Sequence, residues 1–198
     1  MIKFKKISNE APYRAFKDNY DEALKNKQKN IEAICISSYS KNTNEVNARF
    51  VNLKLIQDKK FIFFSNYNSP KAQDFSDHNQ ITALIYWQNI NVQIRMKALI
   101  EKTSPELNQA YFEQRDKKKN ALSISSHQSS YIKSYEDVQN DYKKALESEN
   151  LLKCPKYWGG YFFIPFYFEF WQGHTSRINK REIYELKNNE WMMGYLQP

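Results

Sequence analysis

The chain reads as mainly β with peripheral helices, and three observations carry that reading. Val92, Ile94, Met96, Ala98 and Ile100 alternate with Gln93, Arg95 and Lys97, the period-two pattern of a half-buried strand. Short apolar runs recur between turn-forming stretches such as Asp58-Lys59-Lys60 and Lys187-Asn188-Asn189-Glu190. Helical signals are inserted between these runs, so a β-barrel with helices around it is the expected architecture. With 198 residues, one domain over 1–198 is expected, large enough to bury a core without disulfides.

Taken in order, Pro12, Tyr13, Phe16, Tyr20 and Leu24 predict an amphipathic helix ending near Asn30. Strands are expected at Ile31–Ser38 and Ala48–Leu55, flanking a polar turn, and at Phe61–Asn66. A short helix over Lys71–Asp77 follows Ser69-Pro70. Ile81–Trp87 and Val92–Glu101 flank Asn89-Ile90-Asn91 and predict a hairpin. Ser104-Pro105-Glu106 is a helix start: a hydroxyl cap, Pro in the first turn and an acid near the positive helix end. That helix is expected to reach about Lys119, with a hydroxyl-rich loop over Ser123–Ser130 and a further helix over Tyr135–Ser148. Trp158-Gly159-Gly160 reads as an aromatic anchor and tight turn leading into a long strand, Tyr161–Trp171. Pro165 marks an edge or bulge within it. Ile183–Leu186 and Trp191–Leu196 close the chain as a hairpin.

Composition narrows the function. Four glycines argue against Gly-rich nucleotide loops, and no apolar run is long enough to span a membrane. The N-terminus lacks a secretory signal, and Cys35 and Cys154 stand alone, as expected of reduced thiols in a cytoplasmic protein. His78, His127 and His174 have no metal-ligand spacing, and no nucleophile–base–acid triad is suggested. The net charge of +8 reflects many lysines, but only Lys117-Lys118-Lys119 clusters. A nucleic-acid footprint concentrates its cations on one face, so small anionic ligands suit this charge better.

Two segments fit a phosphate. Ser69-Pro70-Lys71 lies where a strand turns into a helix, whose N-terminus offers free N–H groups and a positive dipole end. Ser65 and Ser69 add hydroxyls, while Lys71 and Arg49 add charge; on this segment alone an ordinary capped helix is the simpler reading. Tyr111, Arg115 and Lys119, spaced i, i+4 and i+8, fall on one face of the expected helix as a phosphate-binding row would. Arg49 and Lys54 would point to opposite faces of an ideal strand, so a bulge or strand end must bring them to one ligand.

An ordered set of motifs, Arg49-Phe50-Val51-Asn52-Leu53-Lys54, Ser69-Pro70-Lys71, Gln128-Ser129-Ser130, Trp158-Gly159-Gly160, Phe170-Trp171-Gln172-Gly173 and Arg177-Ile178-Asn179-Lys180-Arg181, resembles the pyridoxine/pyridoxamine 5'-phosphate oxidase family. The likeness covers nearly everything from Pro12 to Pro198. It implies an FMN-binding split β-barrel with a Greek-key core, working as a homodimer with FMN at the interface. It further implies oxidation of pyridoxine or pyridoxamine 5'-phosphate to pyridoxal 5'-phosphate, with O2 as acceptor. The resemblance assigns Arg49, Lys54, Phe64, Ser65, Lys71, Gln93, Gln128, Ser129, Trp171 and Arg181 to the cofactor. It assigns Lys54, Tyr111, Arg115, Lys119, Arg177 and Asn179 to the substrate, the last two being catalytic.

Three positions depart from the family pattern: Pro70 replaces an arginine, Lys119 a serine, and Asn179 a histidine. Asn can hydrogen-bond but cannot titrate near neutral pH, so a proton-carrying role is lost there. The family's N-terminal segment also reads as shorter here. Two other readings stay open: an FMN oxidoreductase of the same fold acting on a different small molecule, and a non-catalytic binder of flavin or pyridoxal phosphate.

Overall fold

Fifteen consecutive residues, Trp158–Gln172, form the strand around which the molecule is organised. The structure, a computed structural model, describes residues 1–198. Ten strands form one sheet: β1 (Lys3–Lys5), β2 (Ala33–Ser40), β3 (Glu45–Asn52), β4 (Leu55–Gln57), β5 (Lys60–Asn66), β6 (Gln80–Trp87), β7 (Val92–Lys102), β8 (Trp158–Gln172), β9 (Lys180–Lys187) and β10 (Glu190–Leu196). Their order is β1-β4-β5-β8-β7-β6-β2-β3, with β9 also against β8 and β10 against β9. β7 pairs with β8 from Tyr161 to Gln172. On its other side β8 serves two neighbours, β5 through Trp158–Phe163 and β9 through Tyr167–Gln172. Between those halves the β7–β8 register shifts, so that Lys97 faces Tyr167 while Ala98 faces Pro165. Pro165 therefore marks a bulge, where a missing N–H costs least.

The alternation read from β7 holds: Val92, Ile94, Met96, Ala98 and Ile100 are all buried. Helix α1 (Ala11–Lys25) turns Tyr13, Phe16, Tyr20 and Ala23 into the same core. Phe16 meets Phe61 edge-on at 5.0 Å, and Phe61 stacks on Phe163 at 5.2 Å. Helix α2 (Pro70–Asp77) follows β5 directly. The connection from β7 to β8 carries α3 (Pro105–Gln114), α4 (Lys117–Ser125) and α5 (Tyr135–Ser148). No helix is long and apolar enough to cross a membrane.

Several boundaries differ from the sequence reading. α1 ends at Lys25, well before Asn30, because the chain turns at Lys27 into a positive φ of 55°. The single helix expected to run to Lys119 is two. Arg115 is extended, Asp116 caps a new helix by accepting from Lys118 N, and Asn120 Nδ2 ties that helix back to Phe112 O of the first and to the distant Leu151 O. The expected loop from Ser123 accordingly begins only after Ser125. Trp158-Gly159-Gly160 is not a turn but the start of β8, and neither glycine has a positive φ. Their small size serves close approach: a Cβ at Gly160 would lie 2.5 Å from Thr103 Oγ1. The closing hairpin does turn on Asn188 and Asn189, both at positive φ as a two-residue loop between twisted strands requires.

Candidate active site

A cavity of about 500 Å³ opens between β5, α3 and α4, and its lining is cationic: Lys54, Lys71, Arg115 and Lys119 against Asp116. Asp116 is already engaged in capping α4. An anion is the natural occupant of such a space.

One end is built by β5 and α2. Lys71 is buried, and its Nζ donates to Ser65 Oγ at 3.0 Å, Ser69 Oγ at 3.1 Å and Gln128 Oε1 at 3.1 Å. Burial, with Arg49 nearby, pushes its pKa down to about 8. Ser69 does not cap α2, since its hydroxyl donates to Asn66 O, so the helix start is left without a side-chain acceptor. A lysine surrounded by neutral oxygens beside an uncapped helix start is suited to a phosphate. Arg49 stands behind this end. It donates to Ser38 Oγ at 2.6 Å and pairs with the buried Asp74 at 3.4 Å.

The other end is aromatic and basic. Asn108, in the first turn of α3, accepts from Gly160 N at 2.8 Å and donates to Tyr67 OH at 3.0 Å, pinning the helix to β8. One turn later Tyr111 stacks on Phe64 with centroids 3.7 Å apart, and Phe64 stacks in turn on Trp158 at 5.3 Å. Arg115 lies over Trp158 at 4.6 Å and donates to Ser123 Oγ at 3.0 Å. Burial lowers the pKa of Arg115 and raises that of Tyr111. Burial also lowers that of Lys54; Glu32 at 3.9 Å opposes this, while Lys119 and Arg115 reinforce it. Of the three cations at this end, only Lys54 has an acidic partner, Glu32.

Tyr111, Arg115 and Lys119 all line the cavity, though not as one helical face: the bend at Arg115 places them on two helices. Arg49 and Lys54 are separated by a strand end rather than a bulge, because β3 stops at Asn52 and Leu53 turns into the core. Lys54, Phe64, Ser65, Lys71 and Gln128 also line the cavity, whereas Arg49 does not. Ser129 sits in the adjoining loop at a φ of 69°.

The remaining residues lie elsewhere. Gln93 pairs with Trp171 across β7 and β8, and Trp171 with Arg181 across β8 and β9, so these three form one row. Trp171 borders a separate cleft of about 210 Å³. Arg177, exposed at a φ of 60°, and Asn179 occupy the loop before β9, where Asn179 Oδ1 accepts from His174 N at 2.9 Å. One chain therefore holds the residues expected from the sequence in two groups and does not join them.

Sequence reasoning missed the residues that hold these groups: Ser38 and Asp74 behind Arg49, Asn108 beneath Tyr111, and Glu169 between Arg95 and Arg181. Glu169 was detectable, as the one acid in the aromatic run from Tyr161 to Trp171.

Residues 158–198 match the family model described as the pyridoxine 5'-phosphate oxidase C-terminal dimerisation region. The chain is 32% identical over 191 residues to pyridoxine/pyridoxamine 5'-phosphate oxidase 1 of Hydrogenovibrio crunogenus, covering 94% of this chain and 88% of that one. It is also 32% identical over 188 residues to the Coxiella burnetii pyridoxine/pyridoxamine 5'-phosphate oxidase, covering 94% and 95%. Among solved structures, PhzG of Burkholderia lata, determined with tetrahydrophenazine-1-carboxylic acid, superposes with a TM-score of 0.89 at 23% identity, covering 94% of this chain and 92% of that one. A pyridoxamine 5'-phosphate oxidase-related, FMN-binding protein of Nostoc punctiforme gives 0.79 at 13% identity, covering 96% and 100%. The fold is that of the split barrels these proteins share, and the chain belongs to the pyridoxine/pyridoxamine 5'-phosphate oxidase family.

Proposed function

We propose that this protein is an FMN-dependent oxidase that converts pyridoxine or pyridoxamine 5'-phosphate to pyridoxal 5'-phosphate, with O2 as acceptor. The observation that carries this reading is the division of the cavity's cations into two sets. Lys71, at the uncapped start of α2, suits the phosphate of the flavin, and Lys54, Arg115 and Lys119 suit that of the substrate. Two phosphorylated reactants need two such sets.

Bound here, FMN would supply the two-electron chemistry, as the acceptor of a hydride from the substrate carbon whose reoxidation by O2 would yield hydrogen peroxide. The chain's own groups hold the reactants and compensate their charge. Lys71, Ser65 and Gln128 hold the flavin phosphate, with Arg49 adding charge from behind. Gln93, Trp171 and Arg181 provide hydrogen bonds and an aromatic edge for the flavin ring. Tyr111 donates its hydroxyl beside the cations of the substrate phosphate. Arg177 positions the substrate, and Asn179 contributes a hydrogen bond but no titratable proton.

Because the two groups of site residues are separate within one chain, the reading includes a homodimer in which one protomer's cavity is completed by the β8–β9 face of its partner. The match of residues 158–198 to a dimerisation region supports this.

Substrate-dependent peroxide release by the flavin-loaded protein is the decisive measurement, with calorimetry to separate binding from turnover. A second reading, an FMN oxidoreductase of the same fold with a different small substrate, is favoured by Asn179, whose side chain is held by its own loop. Failure of pyridoxine 5'-phosphate to bind would select it. Binding without peroxide would point to a non-catalytic carrier.

A further inference from the structure

Glu169 is 2% exposed, and its two carboxylate oxygens divide between two arginines. Arg181 donates to Oε1 through Nε at 2.9 Å, with Nη2 at 2.8 Å from the same oxygen. Arg95 donates to Oε2 through Nε at 3.1 Å and again through Nη2, and Tyr167 OH donates to the same oxygen at 3.2 Å. Burial alone would raise the pKa of this carboxyl, but the two guanidinium groups hold it below the usual carboxylate range.

The sheet register explains the placement. Gln93, Trp171 and Arg181 form one cross-strand row, and Arg95, Glu169 and Ile183 form the row beside it. Glu169 lies two residues before Trp171 on the same face of β8, so it reaches Arg181 diagonally. Arg181 is bound at its other end as well, with Nη1 donating to Gln197 O at 2.9 Å. A long, flexible side chain is thereby fixed in one orientation before any ligand arrives. Such prior fixing lowers the ordering cost of binding.

We propose that Glu169 is a positioning residue for the flavin site, holding Arg181 in register with Gln93 and Trp171; this rests on the assignment of that row to FMN. A buried carboxylate flanked by two cations is costly to place in a core, and such a charged triad as a whole often adds nothing to stability over apolar residues of similar volume. Its location against the flavin-assigned row gives it a use that stability does not. Arg95 has a different part: it completes the compensation of Glu169 from the side away from Arg181 and has no direct hold on the row.

The test is FMN affinity, read from quenching of flavin fluorescence in Glu169→Gln, Arg181→Gln and the double variant, with folding checked by circular dichroism. Glu169→Gln is expected to weaken FMN by about tenfold, with little further loss once Arg181 is already Gln, as for residues acting through one contact. Arg95→Gln is expected to stay within about threefold of the unmodified protein. If Glu169→Gln does not fold, Glu169→Asp carries the test, since it keeps the charge and withdraws it from Arg181 by one methylene. Unchanged affinity, additive losses, or an equal loss in Arg95→Gln would overturn the proposal. Absence of FMN binding in the unmodified protein would instead overturn the cofactor assignment on which it rests.

Discussion

The Lys71 ammonium lies 3.0 Å from Ser65 Oγ, and each of its hydrogen-bond partners is a neutral oxygen. Burial, and then Arg49, bring its pKa to about 8, where it titrates near working pH. A phosphate dianion would favour the charged form, so binding above that value requires proton uptake. FMN affinity is expected to fall as pH rises from 7 to 9, while riboflavin shows no matching loss. For the ligand-free protein the sign is opposite. The folded chain releases this proton near pH 8 and the unfolded chain near the ordinary 10.5, so the contribution of Lys71 to stability rises across that window. Flavin titrations at the two pH values check the first point, and denaturant midpoints check the second.

Lys71→Ala should weaken FMN about tenfold or more and leave riboflavin nearly unchanged, since a charge-assisted hydrogen bond is worth about 1.5–3 kcal/mol. Arg49→Ala should behave differently. It leaves Asp74, which is 5% exposed, without its cation, so both FMN affinity and the unfolding midpoint should fall. Equal effects of Lys71→Ala on the two flavins would remove the phosphate from this end of the cavity.

The separation of the cavity from the Gln93–Trp171–Arg181 row predicts that the flavin-loaded protein is a two-fold dimer. Sedimentation at micromolar concentration measures this directly. A monomer that retains FMN would break the shared-site reading.

Asn179→His should raise peroxide production from pyridoxine 5'-phosphate, because it restores a titratable imidazole beside Arg177. Activity should then acquire a pH dependence near neutrality that the unmodified protein lacks at this position. Arg177→Ala should reduce kcat/KM well beyond any change at Asn179, since it removes a charged anchor. No peroxide from either the unmodified protein or Asn179→His would select the carrier reading or a different reaction.

Gly160→Ala should destabilise the protein by about 1–3 kcal/mol, the usual cost of forcing extra volume into a packed region. The new methyl would meet Thr103 Oγ1 at 2.5 Å and Phe64 Cε1 at 3.1 Å. It should also disturb the Phe64–Tyr111 stack, so weaker substrate binding is expected alongside a lower melting temperature. An unchanged melting temperature would show that Thr103 yields without cost.

What the sequence alone determined was whatever depends on neighbours along the chain. The alternation of β7, the aromatic face of α1, the helix start at Ser104, the helix over Tyr135–Ser148 and the Asn188-Asn189 turn are local signals, and the structure carries each of them. The motifs that mark the family were legible for the same reason, as were the four cations that line the cavity. Tertiary structure decided the rest. The bend at Arg115 is spanned by Asn120 reaching Phe112 O, and the same amide anchors the second helix to Leu151 O, contacts that helical periodicity cannot reveal. The role of the two glycines before Tyr161 depends on Thr103, Tyr67 and Asn108 lying over them. The burial of Lys71 and Glu169 depends on β5, β7, β8 and β9 converging around them, and burial is what turns an ordinary lysine into a titrating one and an ordinary glutamate into a splint between two arginines. Pairing across strands and helices distant in sequence sets charge, exposure and orientation together, and no spacing rule along one chain encodes that.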